Sequence, residues 1–358
     1  MSDVFLIGAG FSSPARLPTQ AQLLSRIFRT KASTISEFGA PEFESAKFDV
    51  EDFLQQIFKR DGIEGVTLED FYTLIDLSIL KREPLPPFSW RELFEIRQKL
   101  DLCALFVFQR GERNDVGEFY GRVVKQLVRR YGSQLYFISL NWDTLLDDAL
   151  LDQMRRINYG ADVFKLEMRN GIARYSTLAS HARIPSLLKL HGSFNWVTCP
   201  ICRRIFFASE KNVWLVFSGR LTCPACVKNG RLQAAPPEPK LTSLFLTPTM
   251  LKQVTGATLT SVWENACHAI QTARRITFLG YSLPMADYEV RHLLRKSLRP
   301  GVEVRIVLKR DSKDRTFDDV ISRYHAFLGT GKKSVYTEGV ERFFASGAER
   351  QFRGEKLE

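Results

Sequence analysis

The sequence lacks any uninterrupted apolar run of the roughly 18 residues that a membrane-crossing helix requires, so a membrane-spanning protein is excluded as an expectation. It also lacks a basic n-region at its start: Met1-Ser2-Asp3-Val4-Phe5-Leu6 carries one acidic residue, and its apolar run stops at a glycine-rich turn. That pattern reads as a first β-strand and not as a signal peptide, which makes a cytoplasmic location the expectation. No internal repeat and no low-complexity segment occurs, so a solenoid or a fibrous chain is not expected. Basic tracts are missing too, although the net charge is +11. Arg129-Arg130, Arg155-Arg156, Arg203-Arg204, Arg274-Arg275 and Lys332-Lys333 are isolated pairs, which solvated surfaces accommodate. The positive balance suits anionic partners in general, nucleotides and nucleic acid among them.

Cysteine is scarce, with six in 358 residues, and four of the six fall as Cys199-Pro-Ile-Cys202 and Cys223-Pro-Ala-Cys226. Two thiolates two residues apart bite one metal, and a second pair completes a tetrahedron. In an intracellular chain this spacing points to zinc rather than to two disulfides. Four cysteine ligands close the coordination sphere, so the zinc is expected to be structural. Cys103 and Cys267 lie in apolar helical surroundings and read as packing residues.

The apolar pattern alternates between short strands and amphipathic helices. Val4-Phe5-Leu6-Ile7 is a buried strand ending at Gly8-Ala9-Gly10. Residues 19–131 carry helical spacing throughout, broken at Pro84-Leu85-Pro86-Pro87. Strands return at residues 134–140, running into Asn141-Trp142-Asp143, and at 187–190, running into His191-Gly192. They appear again at 243–246, at 275–279 before Gly280-Tyr281-Ser282, and at 302–308. The final 50 residues read as helical. The expected architecture is α/β: a Rossmann-like parallel sheet with a helical insertion and a four-cysteine zinc-ribbon insertion. Residues 1–18, 132–196 and 240–335 are assigned to the Rossmann-like domain, 19–131 to the helical module, 197–235 to the zinc ribbon, and 336–358 to a C-terminal helix and tail.

In open parallel sheets ligands bind beyond the carboxyl ends of the strands. Four polar or glycine-rich turns follow directly after strands, so they are expected to share one edge. Gly8-Ala9-Gly10-Phe11-Ser12 lets the backbone approach a diphosphate; it lacks the third glycine of the dinucleotide fingerprint and reads equally as a tight turn without ligand. Asn141, Asp143 and His191 are polar groups at buried strand ends, each also able to serve as a structural hydrogen-bonder. An imidazole can act as a base near neutral pH, an asparagine can fix a ribose or a carboxamide, and a carboxylate can accept from an amide.

The order Gly8-Ala9-Gly10-Phe11-Ser12, Asn141-Trp142-Asp143, Lys189-Leu190-His191-Gly192, paired Cys-x2-Cys, then Gly280-Tyr281-Ser282 resembles the sirtuin (Sir2-like) family. The resemblance covers residues 4 to about 310. It implies NAD as substrate, with Gly8, Ala9, Gly10 and Ser12 at the phosphates and Gly280 and Ser282 lining the phosphate or ribose site. It also implies that Asn141 orders the nicotinamide ribose and a water, that Asp143 holds the carboxamide, and that His191 is the general base. Departures from the protein deacylases of that family are clear. Leu140 stands where they carry Gln, no Asp-Phe-Arg follows the glycine turn, and Leu244-Phe245-Leu246-Thr247-Pro248 replaces their Phe-Gly-Glu segment. Gly280-Tyr281-Ser282-Leu283-Pro284 with Asp287 resembles divergent Sir2-like NAD-hydrolysing domains of bacterial anti-phage defence.

Three functions follow as expectations. The first is an NAD glycohydrolase held silent until a homo-oligomer or an operon-encoded partner assembles it, with the helical region as the contact. The second is an NAD-dependent deacylase or ADP-ribosyltransferase. The third is a nucleotide- or nucleic-acid-binding module using the basic charge and the zinc knuckle.

Overall fold

The structure is a computed structural model that describes residues 2–31, 39–59, 65–111, 116–178, 184–217, 221–228, 240–246, 257–310, 317–329, 333–349 and 355–356. The chain divides into two compact units, one helical (Ala15–Asn114 with Leu246–Gln253) and one built on sheets (Met1–Pro14, Asp115–Phe245 and Val254–Glu358).

The helical unit contains α1 (Gln20–Arg29), α2 (Ala40–Phe58), α3 (Leu68–Lys81) and α4 (Trp90–Gly111). Thr67 caps α3 through Asp70 in a reciprocal box, satisfying N–H groups that a helix start leaves open. The helices meet over Phe43, Phe53, Phe71, Ile75, Leu100 and the buried Cys103. A polar cluster is buried within this core: the Tyr72 hydroxyl donates to Asp101 Oδ1 at 2.8 Å, and Arg97 bridges Asp101 and Asp76. Burial raises the Asp101 carboxyl to about 6, against the pull of Arg97 and the Tyr72 hydrogen bond. An acid that titrates higher folded than unfolded favours folding when protonated, so its contribution is complete below about pH 4 and declines as pH rises. Stability is therefore expected to fall as pH rises to about 6. Thermal melts across that range should show a smaller slope for Asp101→Asn; equal slopes would contradict the assignment.

The sheet unit is organised by six parallel strands in the order β11 (Lys333–Tyr336), β10 (Glu303–Val307), β9 (Ala273–Leu279), β1 (Ser2–Ile7), β2 (Leu135–Ser139) and β5 (Ser186–Lys189), with β12 (Glu355–Lys356) antiparallel at the edge. Followed along the chain, the strands step from β1 to β2 and β5 on one side, then return to the other side of β1 for β9, β10 and β11. This is the doubly wound order 3-2-1-4-5-6, whose direction reverses between β1 and β9. All six residues of β1 are buried, as a strand covered on both faces must be. Helices α5 (Val116–Tyr131), α6 (Leu145–Met154), α9 (Ala257–Gln271), α10 (Tyr288–Ser297), α11 (Phe317–Leu328) and α12 (Gly339–Ala345) complete the α/β alternation.

A second sheet has the order β4 (Ile172–Thr177), β3 (Val163–Arg169), β7 (Ile205–Phe207), β6 (Gly192–Thr198), β8 (Thr242–Phe245), accompanied by α7 (Glu210–Phe217) and α8 (Pro224–Lys228). Several details differ from the sequence reading. The strand at 243–246, expected in the parallel sheet, is β8 and pairs antiparallel with β6. The cysteine segment is interleaved with a five-stranded sheet whose first strands, β3 and β4, precede His191 and whose β6 begins directly after it. The hairpin of β3 and β4 was not anticipated, because β4 is largely exposed and offers no apolar alternation. The last 50 residues are not all helical: β11 extends the parallel sheet, its four residues too short to register as a period. α5, which falls within residues 19–131, is in the sheet unit. Thr247, Pro248 and residues 229–239 lie outside the described residues.

Candidate functional site

The turns after β1 and β9 are locked backbone to backbone at the point where the strand order reverses. Gly8 N–H donates to Leu279 O at 3.0 Å, Gly10 N–H to Gly280 O at 2.8 Å, and Phe11 N–H to Gly8 O at 2.9 Å. A β-carbon at Gly8 would stand 2.7 Å from Gly280 O, and one at Gly280 would stand 2.3 Å from Gly10 C. Gly280 also adopts φ +60°. The three glycines are thus required by a close approach of two main chains, a stronger reason than the turn geometry the sequence suggested. The amides of Gly8 and Gly10 are engaged by carbonyls of this crossing. Ala9 is exposed at its tip, as the first residue of a 3-10 turn over Ala9–Ala15.

Three side chains of the expected site converge beside this crossing. Asn141 Nδ2 donates to Gly8 O at 3.0 Å and to Ser12 Oγ at 2.9 Å. Ser12 Oγ donates in turn to Asp143 Oδ2 at 2.6 Å. Asp143 Oδ1 accepts from Leu145 N–H at 3.2 Å, starting α6. Burial raises the Asp143 carboxyl above the ordinary range, while Lys189 and the Ser12 hydroxyl pull the other way. Ser12 and Asp143 are buried, and Asn141 is half-buried with its amide reaching across from β2 to β1.

His191 reaches the same edge through one peptide. Leu140 N–H donates to Ile7 O at 3.0 Å, and Leu140 O lies 3.2 Å from His191 Nδ1. A carbonyl only accepts, so this bond places a proton on Nδ1 and makes Nε2 the basic nitrogen of the neutral ring. Trp263 Nε1 fixes the preceding Leu190 O at 3.0 Å. Ser282 stands apart: its side chain is exposed and makes no hydrogen bond to the Asn141–Ser12–Asp143 cluster among the described residues. Arg323 holds Ser282 O at 3.3 Å, and the Tyr324 hydroxyl holds Tyr281 O at 2.7 Å.

Sequence reasoning missed the support beneath these residues. Lys189, 1% exposed, donates to Asp143 O at 2.6 Å, to Ser193 Oγ at 2.6 Å and to Asp147 Oδ2 at 2.9 Å. Asp147, 0% exposed, also accepts from Asn195 Nδ2 at 3.1 Å and from the Tyr159 hydroxyl. One buried ammonium therefore ties the loop after β2 to the loop after β5. A lysine inside the apolar run Leu187-Leu188-Lys189-Leu190 was the available signal.

The four cysteines gather beside the second sheet, two in the turn between β6 and β7 and two at α8. Their sulfur atoms all lie within 4.8 Å of one another, with Cys199 to Cys226 at 3.7 Å and Cys202 to Cys223 at 3.6 Å. Disulfide sulfurs would be about 2.05 Å apart. A tetrahedron of about 2.3 Å zinc–sulfur bonds has edges of about 3.8 Å, which the observed spacings match. The donor set fits zinc, with Cys199, Cys202, Cys223 and Cys226 as its four ligands. Burial pushes the Cys223 thiol upward, so a metal that binds the thiolate must displace that proton. Cys223→Ser is expected to lose about one zinc per chain and to lower Tm by about 5–10 °C. Metal analysis and thermal melts check this; full metal retention would contradict the ligand set.

No family model matches the chain, and no curated protein matches it. Among solved structures it is similar to a Sir2 homologue point mutant in complex with ADP-ribose, at 13% identity and TM-score 0.44, covering 98% of this chain and 91% of that one. It is also similar to Sir2Tm bound to a propionylated peptide, at 14% identity and TM-score 0.40, covering 98% and 93%. A Sir2–p53 peptide–NAD+ structure aligns at 13% identity and TM-score 0.39, covering 98% and 92%. Identities and scores this low leave the functional case with the chain's own residues.

Proposed function

We propose that the edge between β1 and β9 binds NAD and that the protein cleaves its nicotinamide–ribose bond, with water as acceptor. One observation carries this reading: the reversal of strand order falls where Gly8, Gly10 and Gly280 interlock, and Asn141, Ser12, Asp143 and His191 collect at that same edge. Doubly wound sheets bind dinucleotides at such a reversal.

In the reaction, the C–N bond breaks and its electron pair goes to the nicotinamide ring nitrogen, neutralising the pyridinium. The ribose carbon passes through an oxocarbenium-like state and takes a water oxygen. Asp143 accepts from the nicotinamide carboxamide, exchanging its present Ser12 partner for the ligand. Asn141 orders the ribose and the water. His191 receives the proton on Nε2 while Leu140 O retains its Nδ1–H. The products are ADP-ribose, nicotinamide and one proton. Zinc stabilises the second sheet and takes no part in the chemistry, since four thiolates leave no open position. A role in bacterial anti-phage defence, in the cytoplasm and under control of a partner or of self-assembly, fits an activity that drains a vital cofactor.

Transfer to a protein acceptor is the second reading. Among the described residues β8 is an edge strand of the second sheet, and an acyl-lysine peptide could add beside it. Incubation with NAD followed by mass spectrometry separates the two. Free ADP-ribose supports hydrolysis; acyl-ADP-ribose formed only with an acylated peptide, or ADP-ribosylated protein, supports transfer. Release of no nicotinamide across protein concentrations and with genomic-neighbour proteins would overturn both.

A further inference from the structure

A basic depression lies on the sheet unit away from the edge between β1 and β9. α5 starts near the strand ends, where the Tyr120 hydroxyl donates to Phe11 O, and finishes near the strand starts, where the Tyr131 ring packs 5.9 Å from Phe5. On its second half a cavity of about 560 Å³ is lined by Arg122, Lys125, Gln126, Arg129, Arg130 and Glu349. These α5 positions recur every three or four residues, so one helix face presents all four cations. The opposite face buries Tyr120, Val123, Val124 and Leu127 and fixes the helix rotation.

The floor of the cavity is built. Glu349, buried, accepts from Gln126 Nε2, and its backbone carbonyl accepts from Arg305 Nη1 at 3.5 Å. The Arg130 guanidinium carbon lies over the Tyr131 ring, 5.4 Å from its centroid. Four cations face one carboxylate around this space. Arg129 and Arg130 favour a helix C-terminus, and Arg122 pairs with Glu118 one turn earlier at 3.5 Å, but neither accounts for Lys125. Lys125 and Arg129 form a like-charge i,i+4 pair, which weakens a helix, and neither makes an ion pair among the described residues. A bound anion would relieve that repulsion.

We propose that this cavity binds a compact ligand carrying several linked phosphates, such as a free oligophosphate or a nucleoside polyphosphate. Its volume is that of a small-molecule site. The cations run from Arg122 to Arg130 on one helix, a rise of about 12 Å, which suits a short phosphate chain better than the extended backbone of a nucleic acid.

Calorimetric titration of the full-length protein with inorganic tripolyphosphate, ATP and a 20-nucleotide single strand tests this. Tripolyphosphate and ATP are expected to bind saturably, with affinity falling at higher salt. The exposed double variant Lys125→Glu, Arg129→Glu should weaken both at least tenfold while its circular dichroism spectrum and melt stay unchanged. Lys125→Arg should retain binding. Absence of saturable tripolyphosphate binding, undiminished binding by the double variant, or binding of the oligonucleotide alone would overturn the proposal. Undiminished binding would place the phosphates elsewhere, the NAD edge included.

Discussion

His191→Ala is expected to slow nicotinamide release from NAD by about 10²–10⁴-fold while NAD still binds. The imidazole is buried, and its Nδ1 is committed to Leu140 O at 3.2 Å, which leaves Nε2 to receive the proton in the reaction. Removing the ring removes a proton acceptor without touching the glycine crossing, where the dinucleotide is proposed to rest. Asn141→Ala should show a comparable loss, because its amide joins Gly8 O to Ser12 Oγ and so sets both the ribose position and the Ser12–Asp143 bond. Steady-state nicotinamide assays, with NAD binding measured separately, check both variants. Wild-type turnover by His191→Ala would remove the imidazole from the mechanism.

The second large effect is on stability. Lys189→Met is expected to cost about 3–5 kcal/mol, because it strands the Asp147 carboxylate at a site with no access to water. Lys189 and Asp147 lie 2.9 Å apart, at 1% and 0% exposure. Replacing both, as Lys189→Met with Asp147→Leu, should recover much of that loss, since an apolar pair avoids the desolvation of two charges. Urea unfolding of the two single variants and the double variant gives the coupling directly. Additive effects would show that the pair does not act as a unit. The double variant, even if stable, is expected to turn over poorly: Lys189 also holds Asp143 O at 2.6 Å, so its loss frees the loop that carries Asp143 and Asn141.

The strand ends and the cysteine set were legible in the sequence for physical reasons. Val4 to Ile7 is fully apolar, Ile276 to Leu279 is apolar but for Thr277, and both runs terminate at glycines, so their burial and their ends leave a trace. The cysteine ligands declare themselves by local spacing. What stayed hidden depends on partners remote in sequence. Gly280 meets Gly10 across 270 residues, so the reason both are glycine shows only when the backbones cross. Asp147 meets Lys189 across 42 residues, and neither alone marks a buried ion pair. Asn141, Ser12 and Asp143 were each visible as polar groups at strand ends, but their hydrogen-bonded chain was not. The second sheet was partly lost because β3 and β4 are half-exposed and β7 has three residues, too few for an alternation to emerge. The basic face of α5 was read as isolated charge pairs, because its helical register with Arg122 and Lys125 needs the fold to be seen.

The proposed reaction requires a dinucleotide lying across the edge between β1 and β9. Hydrogen exchange read by mass spectrometry, with and without NAD, on the His191→Ala protein tests it most directly, because the slow variant holds its ligand through the labelling time. Slower exchange is predicted in the segments 8–13, 141–145 and 280–284, with α5 unchanged. Protection absent from those three segments, or confined to other parts of the chain, would contradict the account.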